Sequence, residues 1–142
     1  MKPTSAAPLV NLGSLYLQEA EASGRQGSSV VRTILNEALG SLNAAVKLKS
    51  DAAFAYYLLG ITYYRSAFYE DAEDNLKRAL ELAPGLSYGH LALANVYIKI
   101  QEWSNAIAQL DKYLASNPRP ESRAEVEAMR AKLAQRSQAR AR

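Results

Sequence analysis

Apolar positions over residues 53–82 follow a helical rhythm that is interrupted once. Leu59 and Tyr63, and then Ala72, Leu76, Ala79 and Leu80, recur at the intervals of three, four and seven that line one face of a helix. The rhythm breaks and restarts around residues 66–69, and Pro84 cannot continue a helix. The pattern therefore predicts two helices joined by a short turn, with the second helix ending before Pro84.

The same pattern returns 34 residues further along the chain, so that residues 53–86 and 87–118 form two successive copies. The aligned pairs are Tyr56 and His90, Leu59 and Leu93, Gly60 and Ala94, Tyr63 and Tyr97, Ala72 and Ala106, Leu76 and Leu110, and Pro84 and Pro118. A fixed period of this length indicates a repeat architecture in which each copy is one helical hairpin.

An earlier copy spans residues 9–50 and contains an insertion. The motif Leu9-x-x-Leu12-Gly13-x-x-Tyr16 repeats Tyr56-x-x-Leu59-Gly60-x-x-Tyr63, which opens the copy at residues 53–86. In the second helix of this earlier copy, Ala38 corresponds to Ala72. Tyr16 and Ala38 are 22 residues apart, whereas Tyr63 and Ala72 are 9 apart, so thirteen residues are inserted around positions 20–32. Their Ser- and Gly-rich centre predicts an expanded loop between the helices, with Ser28 or Ser29 as the next N-cap. Residues 20–22 are expected to lengthen the first helix and residues 30–35 the second. The loop is either a tolerated surface insertion or a lip over one end of a binding groove.

The two ends of the chain differ in character. Residues 1–8, with two prolines among small residues, are expected to fray. Residues 119–142 predict a capping helix with a basic tail: Ser122-x-x-Glu125 is a capping-box pattern, and Val126, Met129 and Leu133 form a narrow apolar stripe. Beyond Gln135 nothing apolar is larger than alanine, so this tail is also expected to fray.

The motif Tyr56-x-x-Leu59-Gly60-x-x-Tyr63, followed by Ala72-x-x-x-Leu76 and Pro84, closely resembles the tetratricopeptide repeat (TPR). The family pattern has Trp where this chain has Tyr56, and Phe where it has Leu76. The resemblance implies an all-α fold, an α-solenoid of three TPR helix-turn-helix repeats with an expanded loop in the first, plus a C-terminal capping helix.

Composition limits the chemistry that is available. The chain has 142 residues and no cysteine, which excludes disulfides and thiolate metal sites. Its net charge is +3, and the whole basic excess lies in residues 119–142, which carry seven basic and three acidic side chains; the rest of the chain has one more acidic than basic side chain. No apolar run approaches the ~18 residues of a membrane helix, and no signal peptide is visible. We therefore expect no membrane insertion and a cytoplasmic protein.

Candidate catalytic groups are few. The single histidine, His90, stands at a position that packs between helices, and no Gly-rich phosphate-binding motif or nucleophile elbow is present. Four carboxylates at Glu70, Asp71, Glu73 and Asp74 are typical of a solvated helix start. We expect no enzyme activity, no metal and no cofactor.

Nucleic-acid binding would rest on the arginines of the tail alone. Glutamates are interleaved with the first of them, and no aromatic side chain stands near for base stacking. We expect no nucleic-acid partner and interpret the tail as a solubilising cap.

The TPR resemblance implies a concave groove, lined by the first helix of each repeat, that binds a partner peptide or helix. Applied to this sequence, it gives ten candidate contact residues: Phe54, Tyr57, Ile61, Tyr64, Arg65, Tyr88, Leu91, Asn95, Ile98 and Lys99. The first repeat would add Ala7, Val10, Ser14, Leu17 and Gln18. Four tyrosines lie on or beside this face: Tyr57, Tyr64, Tyr88 and Tyr97. They favour recognition of a partner protein, although they could instead pack between neighbouring repeats.

TPR co-chaperones that hold acidic C-terminal peptides place lysine, asparagine and arginine in their groove. The corresponding positions here are interpreted as Val10, Ser14, Leu58, Tyr88 and Ala92, none of them basic. An apolar or amphipathic protein segment is therefore the expected partner. The alternative is an assembly module that forms homo-oligomers or packs within a larger protein.

Overall fold

The computed structural model describes residues 5–23 and 28–141, and over this range the chain forms seven α-helices and no strand. They are α1 (Ala7–Ala22), α2 (Ser29–Leu48), α3 (Ala53–Arg65), α4 (Tyr69–Leu82), α5 (Ser87–Lys99), α6 (Trp103–Ala115) and α7 (Pro120–Ala141). The helices divide between two compact units, Met1–Ala83 and Pro84–Arg142, each of which is described by itself.

The first unit consists of two helical hairpins, α1 with α2 and α3 with α4. Its core combines side chains from α1, α2 and α3, including Leu17, Leu35, Leu42 and Leu59. On α4, Ala72, Leu76 and Ala79 are fully buried, on the stripe that the sequence pattern predicts. Most of the remaining residues of α4 are polar, so burial of this stripe is the main contribution that holds it against α3.

Glycines stand where the two helices of a hairpin come closest. A Cβ atom at Gly60 would lie 2.6 Å from Cδ2 of Leu76 and 3.3 Å from the carbonyl oxygen of Ala72. A Cβ atom at Gly13 would lie 2.6 Å from Cγ of Leu42. Real Cβ atoms do not approach a neighbour this closely, so the leucine of the second helix occupies the space that a side chain would need.

The inserted residues of the first repeat mostly lengthen its helices. Helix α1 continues six residues past Tyr16, whereas α3 continues two past Tyr63. Helix α2 begins nine residues before Ala38, whereas α4 begins three before Ala72. Three of the thirteen residues lengthen the connection, whose centre at residues 24–27 lies outside the described residues, and the rest lengthen the two helices, as the sequence predicts.

Ser28 is the N-cap of α2, one of the two serines that the sequence favours. Its backbone is extended, and its hydroxyl oxygen accepts a hydrogen bond from the Val31 backbone N–H at 3.2 Å.

A Schellman motif closes α3 and makes the turn to α4. The Phe68 N–H donates to the carbonyl of Tyr63 and the Ala67 N–H to that of Tyr64, at 2.9 and 3.0 Å. The Phe68 and Tyr63 rings meet edge to face at 6.4 Å, which supplies the apolar contact that accompanies this motif. Ala67 adopts a φ of 63°, the left-handed conformation that disfavours any residue with a Cβ.

Replacing Ala67 with glycine should therefore stabilise the protein by about 1 kcal/mol, because glycine adopts this conformation without the steric cost. Urea unfolding followed by circular dichroism measures the change. Asn117→Gly is the matched control: Asn117 has a φ of 60°, but asparagine tolerates the left-handed region, so its gain should be smaller. Equal gains at the two positions would contradict the strain argument.

The second unit contains the hairpin α5–α6 and the helix α7, which packs on α6. Leu93 and Leu110 are buried in the hairpin, and Val126 and Leu133 are the buried residues of α7. The turn from α5 to α6 repeats the Schellman pattern, with Gln101 at a φ of 62°. Two hairpins of different sequence thus share one turn geometry, 34 residues apart.

At both chain ends the helices extend further than the sequence pattern indicates, and the predicted N-cap of the last helix was wrong. Helix α1 begins at Ala7 and includes Pro8 in its first turn, where proline loses no helical hydrogen bond; residues 1–4 lie outside the described range. Helix α7 begins at Pro120, so Ser122 is inside the helix and is not its N-cap. It continues to Ala141, past the point at Gln135 where the sequence predicts fraying.

Over the described residues, no helix combines the length and the apolar character that crossing a membrane requires.

Candidate functional site

Helix α3 is apolar on two sides. One side is buried in the core through Ala55, Leu58 and Leu59. The other side, which we call the α3 face, carries Phe54, Tyr57, Ile61, Tyr64 and Arg65. A helix of a small protein needs only one apolar side for its own folding, so a second one needs its own explanation.

The outer part of the α3 face is an aromatic pair whose exposed member is Phe54. Phe54 is 47% exposed, and its ring stacks on that of Tyr57 with centroids 5.9 Å apart and an angle of 23° between the planes. Stacking orders both rings before any ligand arrives, which lowers the entropic cost of binding through them.

Tyr57 and Ile61 have a second role. Both are half-buried and pack against the core cluster of the first unit. The sequence left open whether the tyrosines recognise a partner or seal the array, and for Tyr57 the contacts show that at least part of the side chain serves the fold.

The last turn of α3 is tied to α1. The Arg65 guanidinium donates to the Leu17 carbonyl at 3.0 Å and lies 3.6 Å from the Glu21 carboxylate. Tyr64 is half-buried, with its ring 5.9 Å from that of Tyr69. Arg65 is therefore engaged within the protein and leaves the α3 face without a free positive charge.

In the second unit, the corresponding side of α5 carries Tyr88, Leu91, Asn95, Ile98 and Lys99, which we call the α5 face. Tyr88 is 45% exposed, Lys99 is exposed, and the three residues between them are half-buried. The face is apolar along most of its length, with one amide and one ammonium group toward its C-terminal end.

Two details of the sequence interpretation were wrong. Leu58 and Ala92, taken as ligand-facing positions, are buried and cannot present a side chain to a peptide. Tyr97, placed on or beside the contact face, is buried as well. A shift of one residue on a helix rotates a side chain by about 100°, which is enough to move it from the surface into the core.

His90 has a structural contact. Its Nδ1 lies 2.8 Å from Oε1 of Gln109, so the imidazole N–H donates to the amide oxygen and joins α5 to α6. Among residues 5–23 and 28–141, no group of three or more histidine and carboxylate side chains is arranged to hold a metal ion.

The arginines of α7 fasten this helix to α6. Arg130 makes two hydrogen bonds to the Asp111 carboxylate, at 2.5 and 3.3 Å, and this partner raises the Arg130 pKa above its ordinary value. Arg136 lies 5.4 Å from the centre of the Trp103 ring, and Arg140 donates to the Gln101 carbonyl at 2.7 Å. The basic tail is therefore a docked helix in which these three charges have protein partners.

Sequence reasoning missed a cleft of about 610 Å³ in the first unit, between the start of α2 and the α3–α4 turn. Its lining includes Val31, Leu35, Asn36, Arg65, Ser66 and Phe68. The turn signal at residues 66–69 marks one wall, but nothing in the sequence indicates that α2 would supply the other.

Comparison with known proteins agrees with this architecture. Residues 68–133 match the tetratricopeptide repeat family model. This part of the chain is similar in sequence to tetratricopeptide repeats. Among curated proteins, no sequence matches this chain.

Several solved TPR structures superpose on nearly the whole chain. The TPR2B domain of yeast Sti1 in a pHsp70 complex is 16% identical, with a TM-score of 0.75 over 92% of this chain and 97% of its own. TTC0263, a thermophilic TPR protein in Thermus thermophilus, is 22% identical, with a TM-score of 0.77 over 93% of this chain and 65% of its own. The first TPR of Spaghetti (RPAP3), bound to the HSP90 peptide SRMEEVD, is 14% identical, with a TM-score of 0.76 over 95% and 94%.

At these identities the similarity establishes the fold, and it confirms the all-α TPR class that the sequence motif predicts.

Proposed function

We propose that this protein is a non-enzymatic TPR module that binds an apolar or amphipathic segment of a partner protein, with the α3 face as its main contact surface. The observation that carries the proposal is the ordered aromatic pair Phe54–Tyr57, whose exposed member is Phe54, on a helix whose opposite side already fills the core. The α5 face, with Tyr88 at its exposed end, is proposed as a second contact.

The chemistry of the two faces favours an apolar ligand over an acidic one. Large aromatic and aliphatic side chains provide most of their surface, and aromatic anchors of this kind dominate the energetics of protein recognition. The two faces carry two positive charges, Arg65 and Lys99. The Arg65 guanidinium is bound to the Leu17 carbonyl and the Glu21 carboxylate, whereas Lys99 is exposed. Two of the similar structures are complexes with heat-shock protein peptides, but a single lysine is a poor counterpart for an acidic peptide.

The proposal can be tested with a displayed library of amphipathic helical peptides selected on the intact protein. The selected peptides should be rich in leucine, phenylalanine and methionine. Phe54→Ala should weaken their binding at least about tenfold in fluorescence anisotropy, because it removes the exposed half of the stacked pair. The acidic peptide SRMEEVD, measured in the same assay, should bind far more weakly than the selected peptides.

The matched control is Phe68→Ala. Phe68 is an aromatic side chain of similar exposure, at 56%, but it lies on the α3–α4 turn and is not one of the residues of the α3 face. Its removal should leave peptide affinity unchanged. Selection of acidic peptides, or equal losses for the two phenylalanine variants, would refute the assignment of the α3 face.

A further inference from the structure

Helix α1 exposes a stripe that is buried in the equivalent helix α3. Alignment of the opening motifs places Pro8, Asn11, Leu12 and Leu15 opposite Ala55, Leu58, Leu59 and Thr62, a constant offset of 47 residues. All four residues of α3 are buried. On α1 all four are exposed, with Leu12 at 39% and Leu15 at 60%.

The difference follows from what lies against each stripe. In α3, Leu58 and Leu59 belong to a core cluster to which α2 contributes Leu35 and Leu42. Leu12 and Leu15 belong to neither of the core clusters described in this unit, although Leu17 of the same helix does. The stripe on α1 thus has the register of a helix-packing surface but no described helix on it.

The charges of α1 indicate what can lie there. Its first turn contains no acidic residue, and its N-cap, Ala6, makes no side-chain capping hydrogen bond. Its C-terminal end carries Glu19 and Glu21, and the helix has no lysine or arginine. Glu21 is paired with Arg65, which leaves Glu19 as the carboxylate of α1 on this stripe. A second α1 running in the opposite direction would bring Glu19 of each copy to the positive N-terminus of the other helix, whereas parallel packing would bring the two Glu19 carboxylates together.

We propose that the stripe Pro8–Leu12–Leu15–Glu19 of α1 is a self-association surface, and that its occupant is α1 of a second copy packed antiparallel. The stripe is self-complementary about a point between Leu12 and Leu15: Leu12 of each copy meets Leu15 of the other, and Pro8 meets Glu19. A contact between two short helices is smaller than a standard stable interface, so the dimer is weak and depends on concentration. This surface is separate from the α3 face and does not depend on the function proposed for it.

Sedimentation velocity of the full chain, from about 10 μM to about 1 mM, tests the self-association. The wild type should shift from monomer to dimer across this range, and Leu15→Glu should stay monomeric. Val30→Glu is the matched control, since Val30 is also 60% exposed but lies on α2, and it should dimerise like the wild type. A monomeric wild type at the highest concentration, a dimer that survives Leu15→Glu, or equal loss in Val30→Glu would overturn the proposal.

Cross-linking tests the antiparallel register, because the chain has no cysteine of its own. Leu12→Cys and Leu15→Cys proteins, one of them carrying a tag that changes its mass, are mixed and oxidised, with circular dichroism confirming that each is folded. Mixed disulfide dimers should exceed both homodimers by several-fold. An excess of the 12–12 and 15–15 dimers, as parallel packing requires, would overturn it.

Discussion

Replacing Gly60 with leucine is expected to destabilise the protein by at least about 3 kcal/mol, because a side chain at this position has no space. Even the Cβ atom alone would lie 2.6 Å from Cδ2 of Leu76, a residue with no exposed surface that cannot move aside without disturbing the core. The larger leucine must push α3 and α4 apart. The measurement is the free energy of unfolding in urea.

Replacing each of two glycines with alanine separates the effect of packing on stability from the effect of helix propensity. Gly60→Ala should cost about 1–3 kcal/mol, since overpacking outweighs the better propensity of alanine. Gly40 also lies inside a helix, α2, but a Cβ atom there would meet nothing within 4 Å, so Gly40→Ala should stabilise by up to about 1 kcal/mol.

A second check is the double variant Gly60→Ala and Leu76→Ala. Its cost in unfolding free energy should be less than the sum of the two single costs, because the smaller residue 76 makes room for the new methyl group. Stabilisation by Gly60→Ala would contradict the close approach of the two helices.

Replacing Leu133 with aspartate is expected to detach α7 from α6. Leu133 is one of the two buried residues of α7, and truncation of a buried leucine alone costs about 2–5 kcal/mol, to which aspartate adds the burial of an unpaired charge. The chain has a single tryptophan, Trp103, whose ring lies under Arg136 of α7. Its fluorescence should therefore shift to longer wavelength when α7 detaches, and amides of α6 and α7 should exchange hydrogen faster.

Ala128→Asp is the control for this variant. It places the same residue type on the same helix, but at an exposed position, so it carries the helix propensity cost without loss of docking. Its tryptophan emission should match that of the wild type. Equal spectra for wild type and Leu133→Asp would show that α7 does not depend on its apolar contacts.

The candidate contact residues show how far a helical pattern can be carried toward a site. The TPR resemblance places Phe54 and Tyr88 on an exposed side of their helices, and both side chains are exposed in the structure. It also indicates Tyr57, but it cannot show that this ring packs on the core, since that depends on side chains from α1 and α2. Which face of the protein binds a partner remains our proposal.

The sequence by itself determined the repeat period, the pairing of helices into hairpins, the lengthening of α1 and α2 by the insertion, and a serine N-cap at residue 28 or 29. All of these depend on residues near one another in the chain or on a repeated spacing. Only the tertiary structure decided that Leu58, Ala92 and Tyr97 are buried, and that the basic tail is a docked helix. Those features depend on contacts such as Arg130 with Asp111 and Arg140 with Gln101, whose partners are 19 and 39 residues apart, and no local pattern records which distant side chains will meet.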